Sequence, residues 1–302
     1  MAGNRVAVVG AGAVGCYFGG MLARAGVPVT LIGRFPHMEA IGRDGLLIDG
    51  LKVHERVRVD TSTEIEHVSG ATIMLVCVKT VDTASTARAI WPHVAPECMV
   101  VSMQNGVDNV RLMEAEQVPA IPAVVYVAAS MAGPGHVKHS GRGDLVLPRS
   151  AASLAEMFEK AGVPCRLSDT IQVELWQKMV MNCAYNAISA LARAKYGLMA
   201  KTPRIRELMR RAIAETVAVA RAEGVELDAE AMAEAAWKLG EAMSAATSST
   251  AQDIERGKVT EIESLNGYVA RRGAELGIAT PVSETLSALI RLLEVAKDRP
   301  QA

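Results

Sequence analysis

The run Arg5-Val6-Ala7-Val8-Val9-Gly10-Ala11-Gly12-Ala13-Val14-Gly15-Cys16 constrains the fold of this chain more than any other stretch. Val6 to Val9 is an unbroken apolar run and reads as a strand buried on both faces, while Ala13 to Arg24 has the small residues and periodicity of a helix. Only Gly10 to Gly12 separate them, so the strand must turn straight into the helix. Gly10 permits the tight turn, Gly12 lets a pyrophosphate approach the backbone, and Gly15 allows the helix to pack closely on the strand. The helix N-terminus then offers its unbonded amides to the diphosphate, and a dinucleotide is the expected ligand. The competing reading of the same residues is an ordinary glycine-rich turn.

In such a site an acidic residue about 20 positions on, at the end of the second strand, holds a ribose 2′-hydroxyl when the ligand is NAD. Pro28 to Ile32 reads as that strand, yet it ends in Gly33-Arg34, with no carboxylate before Glu39. A guanidinium at this point suits a 2′-phosphate, which it can clamp through charge-assisted hydrogen bonds. NADP is therefore the expected cofactor, against a solvated loop arginine as the alternative.

A chain of 302 residues, half of them hydrophobic, has room for two domains with separate cores. Its formal net charge of −1 leaves no broad basic field, which argues against a nucleic-acid partner. Cys16, Cys77, Cys98, Cys165 and Cys183 are scattered with no metal-ligand or redox spacing, so no metal site is expected and the thiols read as reduced core residues of a cytoplasmic protein. No leader-like pattern opens the sequence, and the longest mostly apolar segment, residues 121–132, is too short for a membrane helix and rich in β-branched residues.

Beyond Arg34, residues 45–59 alternate apolar and polar around Asp49-Gly50, a hairpin pattern with that dipeptide as the turn. Thr72 to Val78 is another buried strand, followed by Lys79-Thr80 and a helix from Val81 to Ile90. Cys98 to Ser102 repeats the pattern, followed by Met103-Gln104-Asn105-Gly106 and a short helix from Val107. Strand ends thus deliver Gly10 to Gly12, Arg34, Lys79 and Asn105 to one rim, where ligands bind in open α/β sheets. Taken singly, Lys79 also fits a surface lysine and Asn105-Gly106 a plain turn. Val118 to Ala128 reads as a further strand, His136 to His139 and Asp144 to Leu147 as antiparallel strands about Gly141-Arg142-Gly143, Ser153 to Lys160 as a helix and Val163 to Leu167 as a last strand.

Strand patterning vanishes near residue 170, and alanine-rich helical segments follow, with breaks at 197–203, 224–228, 246–250, 257 and 277–281. The expected architecture is an α/β Rossmann-type N-terminal domain with a mostly parallel sheet over residues 1–170, and an all-α C-terminal domain over residues 171–302. On the helix from Ile171, Lys178, Asn182 and Asn186 recur every four residues and form one narrow polar seam between apolar flanks. A seam of this kind either faces water or lines a cleft. Lys178 is its only proton donor of variable charge, and partial desolvation would make its ammonium a competent general acid. Ser249 with Gln252 matches a capping box, and Glu261 and Glu263 are carboxylates at a helix start.

Together these motifs resemble the ketopantoate reductase family of NADPH-dependent 2-oxo acid reductases, over essentially the whole chain. The resemblance rests on the glycine turn, Arg34, Val78-Lys79-Thr80, Gln104-Asn105-Gly106, Lys178-x3-Asn182-x3-Asn186, Ser248-Ser249 with Gln252-Asp253, and Thr260-Glu261-Ile262 before Asn266-Gly267. It implies Lys178 as general acid and Glu261 as a carboxylate orienting substrate or lysine. Gly10 to Gly15, Arg34, Lys79 and Asn105 would meet the cofactor, and Asn105, Asn182, Asn186 and Ser249 the substrate. It also implies a homodimer, with the second domain taking part in substrate binding and dimerisation. Where some members carry a further asparagine ten residues after Asn186, this chain has Tyr196. The alternatives are reduction of a different 2-oxo acid, or of an imine as in opine-forming relatives, and a non-enzymatic NADP sensor.

Overall fold

The computed structural model describes residues 4–297, and the chain divides into two compact units, Met1–Ile171 and Gln172–Ala302. In the first unit, strands β1 (Val6–Val9), β2 (Val29–Ile32), β5 (Asp60–Ser62), β6 (Ile73–Val76), β7 (Met99–Ser102) and β8 (Ile121–Pro122) form a sheet in the order β5-β2-β1-β6-β7-β8. Every pairing in it is parallel. β1 shows why the apolar run had no alternation: Val6 and Val8 enter one core with Leu31, Leu75 and Val101, while Ala7 and Val9 enter another with Met74, Val76 and Val100.

Helix α1 (Ala13–Arg24) covers the first of these faces, and α3 (Thr83–Ile90) and α4 (Asn109–Ala115) contribute Ala87, Ile90 and Met113 to the second. α2 (Phe35–Asp44) follows β2. A second sheet packs on α1. It runs in the order β11-β10-β3-β4, from β3 (Leu46–Gly50), β4 (His54–Val57), β10 (His136–Pro148) and β11 (Cys165–Ser168), with β9 (Val124–Gly133) paired to β10 and α5 (Ala152–Lys160) leading into β11. The absence of side chains at Gly19 and Gly20 lets α1 fit between the sheets. A Cβ on Gly19 would lie 2.8 Å from Leu31, and one on Gly20 would lie 2.7 Å from Leu46.

Several sequence expectations change here. The hairpin at residues 45–59 exists, but Asp49 pairs with His54 across the strands and the two-residue turn is Leu51-Lys52, because the Asp49 carboxylate is held by His54 and His136 at 3.0 and 3.2 Å. The strand expected over residues 118–128 is broken at Ala123, so that β8 completes the parallel sheet and β9 starts the second one. The two strands expected about Gly141-Arg142-Gly143 are one strand, β10, which absorbs irregularities between His139 and Gly141 and between Arg142 and Asp144. The true hairpin turn lies at Pro134-Gly135, where Gly135 takes φ +68°.

The second unit is helical throughout its described residues: α6 (Ile171–Ala192), α7 (Tyr196–Lys201), α8 (Pro203–Ala222), α9 (Ala229–Ala242), α10 (Ser249–Glu255), α11 (Asn266–Leu276) and α12 (Pro281–Lys297). The break expected at 197–203 is helix α7. Its Gly197 sits where a Cβ would lie 2.7 Å from that of Ser244, so the glycine serves close packing rather than chain reversal. α6 is the central element, with residues 183–190 buried without interruption. Tyr185 Oη donates to the Ala236 carbonyl of α9 at 2.7 Å, and Asn266 Nδ2 of α11 donates to the Cys183 carbonyl at 3.1 Å.

Candidate active site

In the parallel sheet β1 lies between β2 and β6, so the chain leaves β1 to one side and later returns on the other. The crevice beyond the carboxyl ends of β1 and β6 is the switch point of the sheet. Gly10 takes φ +101°, and a Cβ there would lie 2.7 Å from the Cys77 carbonyl carbon and the Val78 nitrogen. Gly15 is as tightly bound, with a Cβ 2.3 Å from the Gly10 oxygen. Gly12 differs from both. Its φ of −85° suits any residue, it is exposed, and a Cβ on it would meet nothing within 4 Å. Folding does not require a glycine at position 12, whereas a ligand seated on the turn does.

Gly12 is the N-cap of α1, with no side chain to cap the helix, and the first-turn amides of Ala13, Val14 and Gly15 have no helical acceptor. This is an anion cradle of the kind a diphosphate fills. Arg34 follows β2 at the start of α2; its side chain is exposed and forms no ion pair with a described carboxylate. Lys79 and Asn105, both half-buried, follow β6 and β7. The fold thus brings the glycine turn, Arg34, Lys79 and Asn105 to the carboxyl edge of four neighbouring strands.

A buried network that sequence reasoning did not assign joins the last two loops. Gln104 Nε2 donates to Thr83 Oγ1 at 2.7 Å and to the Val78 carbonyl at 3.1 Å, and Thr83 Oγ1 donates to Asn109 Oδ1 at 3.0 Å. The Asn105 carbonyl accepts from Asn109 Nδ2 at 2.7 Å and from Thr80 Oγ1 at 3.1 Å. Two of these bonds hold the Asn105 carbonyl and one holds the carbonyl of Val78, next to Lys79, while the other two join side chains. The signal available in sequence was Gln104 itself, a polar residue closing an apolar strand beside Asn105.

In the second unit, the seam on α6 does not face water along its length. Lys178 and Asn182 are half-buried, and Asn186 is only 3% exposed. Asn186 Nδ2 donates to Ser249 Oγ at 3.5 Å, while Asn186 Oδ1 accepts from Tyr196 Oη, also at 3.5 Å. The structure therefore joins two of the candidate substrate residues across 63 positions of sequence. The capping assignment is corrected: Ser248, not Ser249, caps α10, accepting from the Ala251 amide at 3.0 Å and donating to the Asn186 carbonyl at 3.0 Å. Ser249 is consequently released from capping and exposed at the end of the seam.

Tyr196 packs against Tyr185 with ring centroids 4.3 Å apart and planes tilted by 32°, and burial pushes both phenols above their ordinary range, Tyr185 up to about 12, so both hydroxyls are neutral donors. Glu261 is half-buried in the turn before α11. That turn is held by Thr260, whose amide donates to Glu294 Oε1 at 2.7 Å and whose hydroxyl accepts from the Ile262 amide at 3.2 Å. Glu263, the other helix-start carboxylate, pairs instead with Arg271 and Arg291. Burial pushes the Cys16 and Cys183 thiols up to about 12, which removes them as nucleophiles. No cluster suited to a metal ion occurs among the described residues.

The model of the ketopantoate reductase PanE/ApbA family matches residues 6–152, and that of its C-terminal domain matches residues 170–294. A 2-dehydropantoate 2-reductase from Halobacterium salinarum is 35% identical, the match covering 96% of this chain and 99% of the relative. The chain belongs to the ketopantoate reductase family. It is accordingly an oxidoreductase. Among solved structures, a PanE/ApbA family ketopantoate reductase from Ralstonia eutropha superposes with a TM-score of 0.92 at 47% identity, covering 98% of this chain and all of that one. A D-mandelate dehydrogenase in complex with NADH and anilino(oxo)acetate shares the fold, with a TM-score of 0.91 at 24% identity over 98% of this chain and all of that one. Ketopantoate reductases and a mandelate dehydrogenase thus share one architecture, and the substrate has to be argued from side chains.

Proposed function

We propose that this member of the family reduces a 2-oxo acid to a 2-hydroxy acid with NADPH, and that 2-dehydropantoate is its substrate. The observation that carries the reading is the seam of α6, whose far end is a buried asparagine bonded to the exposed Ser249. A solvated stripe has no use for a buried amide, and an NADP-sensing module has no use for a seam that ends in one.

The residues fit a nicotinamide dinucleotide. The glycine turn and the amides of Ala13, Val14 and Gly15 would hold its diphosphate, Arg34 its 2′-phosphate, and Lys79 and Asn105 would contact it at the neighbouring strand ends. When bound, such a cofactor supplies the hydride for C2 of the 2-oxo acid. This chain's own part is the proton and the grip. Lys178 donates a proton to the carbonyl oxygen as negative charge develops there, and its ammonium stabilises that charge before transfer. Glu261 orients the lysine or the substrate hydroxyl, and Asn182, Asn186 and Ser249 hold carboxylate and hydroxyl through neutral hydrogen bonds. Among the described residues no helix is long and apolar enough to cross a membrane, and all five cysteines are free, which supports a reducing, cytoplasmic setting.

One observation favours a second substrate reading. Tyr196, packed against Tyr185, places a buried aromatic wall behind Asn186, which suits a 2-oxo acid with a different side chain from ketopantoate. The test is NADPH oxidation by the purified protein across a panel of 2-oxo acids that includes ketopantoate and aryl-substituted acids, with matching imines. Turnover of ketopantoate at the highest kcat/KM supports the first reading, preference for another acid the second, and no turnover of any 2-oxo acid overturns both.

A further inference from the structure

Helix α8 carries more arginines than its own chain puts to use. Arg206 lies over the Trp237 ring, 4.5 Å from its centroid, Arg210 holds the Glu230 carboxylate at 2.5 and 2.8 Å, and Arg221 Nε donates to the Leu227 carbonyl at 2.9 Å. Arg204 and Arg211 are both exposed, and neither makes an ion pair, hydrogen bond or ring contact among the described residues. With Leu208 between them and Glu215 beyond, they recur at steps of four, three and four, which sets all four side chains in one narrow stripe along α8.

Glu215 accounts for the state of Arg211. A carboxylate four residues on is an ordinary partner for a helical arginine. Glu215 is instead turned to α12, where its Oε1 accepts from the Val282 amide and its Oε2 from the Ser283 amide, each at 2.8 Å. It thereby satisfies two of the amides that open α12. Glu207, one turn before Arg211 and exposed, makes no ion pair with it either. The stripe of α8 therefore faces the start of α12, and these two helices and the end of α6 enclose a groove of about 420 Å³. Ile188 and Leu191 of α6, Leu208 of α8, and Leu286 and Leu289 of α12 line it, and Arg211 is the one charged residue among its described walls.

Those walls specify the chemistry of an occupant. Among the described residues they hold no aromatic ring, and Thr285 supplies their one side-chain hydroxyl, so they suit an alkyl chain without polar groups along its length. The volume is that of a small-molecule site, for which roughly 300–1,000 Å³ is usual. An exposed guanidinium without a carboxylate of its own calls for an anionic head, and its planar fork matches the two oxygens of a carboxylate. On α6 the groove lies away from the seam, because Ile188 follows Asn186 by two residues, roughly 200° round the helix.

We propose that this groove binds a medium-chain aliphatic carboxylate, with its alkyl tail between α6 and α12 and its head on Arg211, Arg204 standing beside it. No residue of the groove takes part in the reaction proposed above, so the two readings stand or fall separately. The test is calorimetric titration of the full chain with octanoate, kept below its micellar range. One saturable site is expected, with octanoate bound at least about 30-fold more tightly than butyrate, because four further methylenes leave water. Arg211→Gln should weaken octanoate at least about tenfold and leave the binding of octan-1-ol unchanged. Ala192→Phe, which narrows the groove, should remove both ligands. Arg211 and Ala192 are exposed, so both variants should melt with the unaltered chain. Lys178→Ala should bind octanoate normally. No saturable binding, binding indifferent to Arg211→Gln or Ala192→Phe, or binding lost in Lys178→Ala, which would put the carboxylate on the seam of α6, would each overturn the proposal. So would a species of twice the 32.0 kDa chain mass that Ala192→Phe reduces to one, since a second copy would then be the occupant.

Discussion

Replacing Gly12 by alanine separates what the glycine turn does for the fold from what it does for a ligand. The new methyl would meet no protein atom within 4 Å, and the backbone already has φ −85°. Two small effects on stability then oppose each other. Alanine is a poorer N-cap than glycine by roughly 0.5–1 kcal/mol. It also restricts the unfolded chain, which stabilises by about 0.4–1 kcal/mol. The net change should stay within about 0.5 kcal/mol, or roughly 2 °C in Tm for a domain of this size. Binding should behave otherwise, because the methyl points into the space a diphosphate needs in order to reach the first-turn amides. Losing one charge-assisted hydrogen bond costs about 1.5–3 kcal/mol, so the Kd for NADPH should rise by roughly 10- to 100-fold. Gly15→Ala is the control: its Cβ would lie 2.3 Å from the Gly10 oxygen, and overpacking of this kind typically costs about 1–3 kcal/mol of stability. Calorimetric titration with NADPH, alongside thermal melts, reads both quantities. A stable Gly12→Ala protein that binds NADPH as tightly as the unaltered chain would refute the reasoning.

Three further outcomes are expected. NADPH should bind at least about tenfold more tightly than NADH, and Arg34→Ala should close that gap; equal dissociation constants in the unaltered protein would remove Arg34 from the site. Lys178→Ala should lower kcat by at least about a hundredfold with NADPH affinity changed only a few-fold, and adding Glu261→Ala should cost less than the product of the single losses; near-normal turnover of Lys178→Ala would end the general-acid role. Hydrogen bonds from His54 and His136 hold the Asp49 carboxyl below its ordinary range. A depressed carboxylate adds stability that is present above its unfolded value, about 3.9, and is lost as pH falls through the folded one. The melting temperature of the unaltered protein should therefore drop further than that of Asp49→Asn between pH 5 and acid, and parallel curves would contradict this.

Much of the first unit was legible because its information is local. A buried parallel strand is an unbroken apolar run, so β1, β2, β6 and β7 and the residues that close them stood out, and with them the rim that carries the glycine turn, Arg34, Lys79 and Asn105. The helical half was legible as helices for the same reason, and the fourfold spacing of Lys178, Asn182 and Asn186 placed them on one face of α6 whatever α6 packs against. What the sequence could not supply depends on partners distant along the chain. Residues 118–128 are apolar enough for one strand, yet they divide at Ala123 because their two halves pair in different sheets. Asp49-Gly50 is a good turn dipeptide, but two histidines, one of them 87 positions away, keep Asp49 within β3. Ser248 and Ser249 are equivalent as caps until the Asn186 carbonyl, 62 positions back, takes the Ser248 hydroxyl and leaves Ser249 exposed. Local periodicity is set by backbone geometry within a few residues. Choice of partner is set by competition among many apolar and polar surfaces, and that competition is resolved only when the chain is folded.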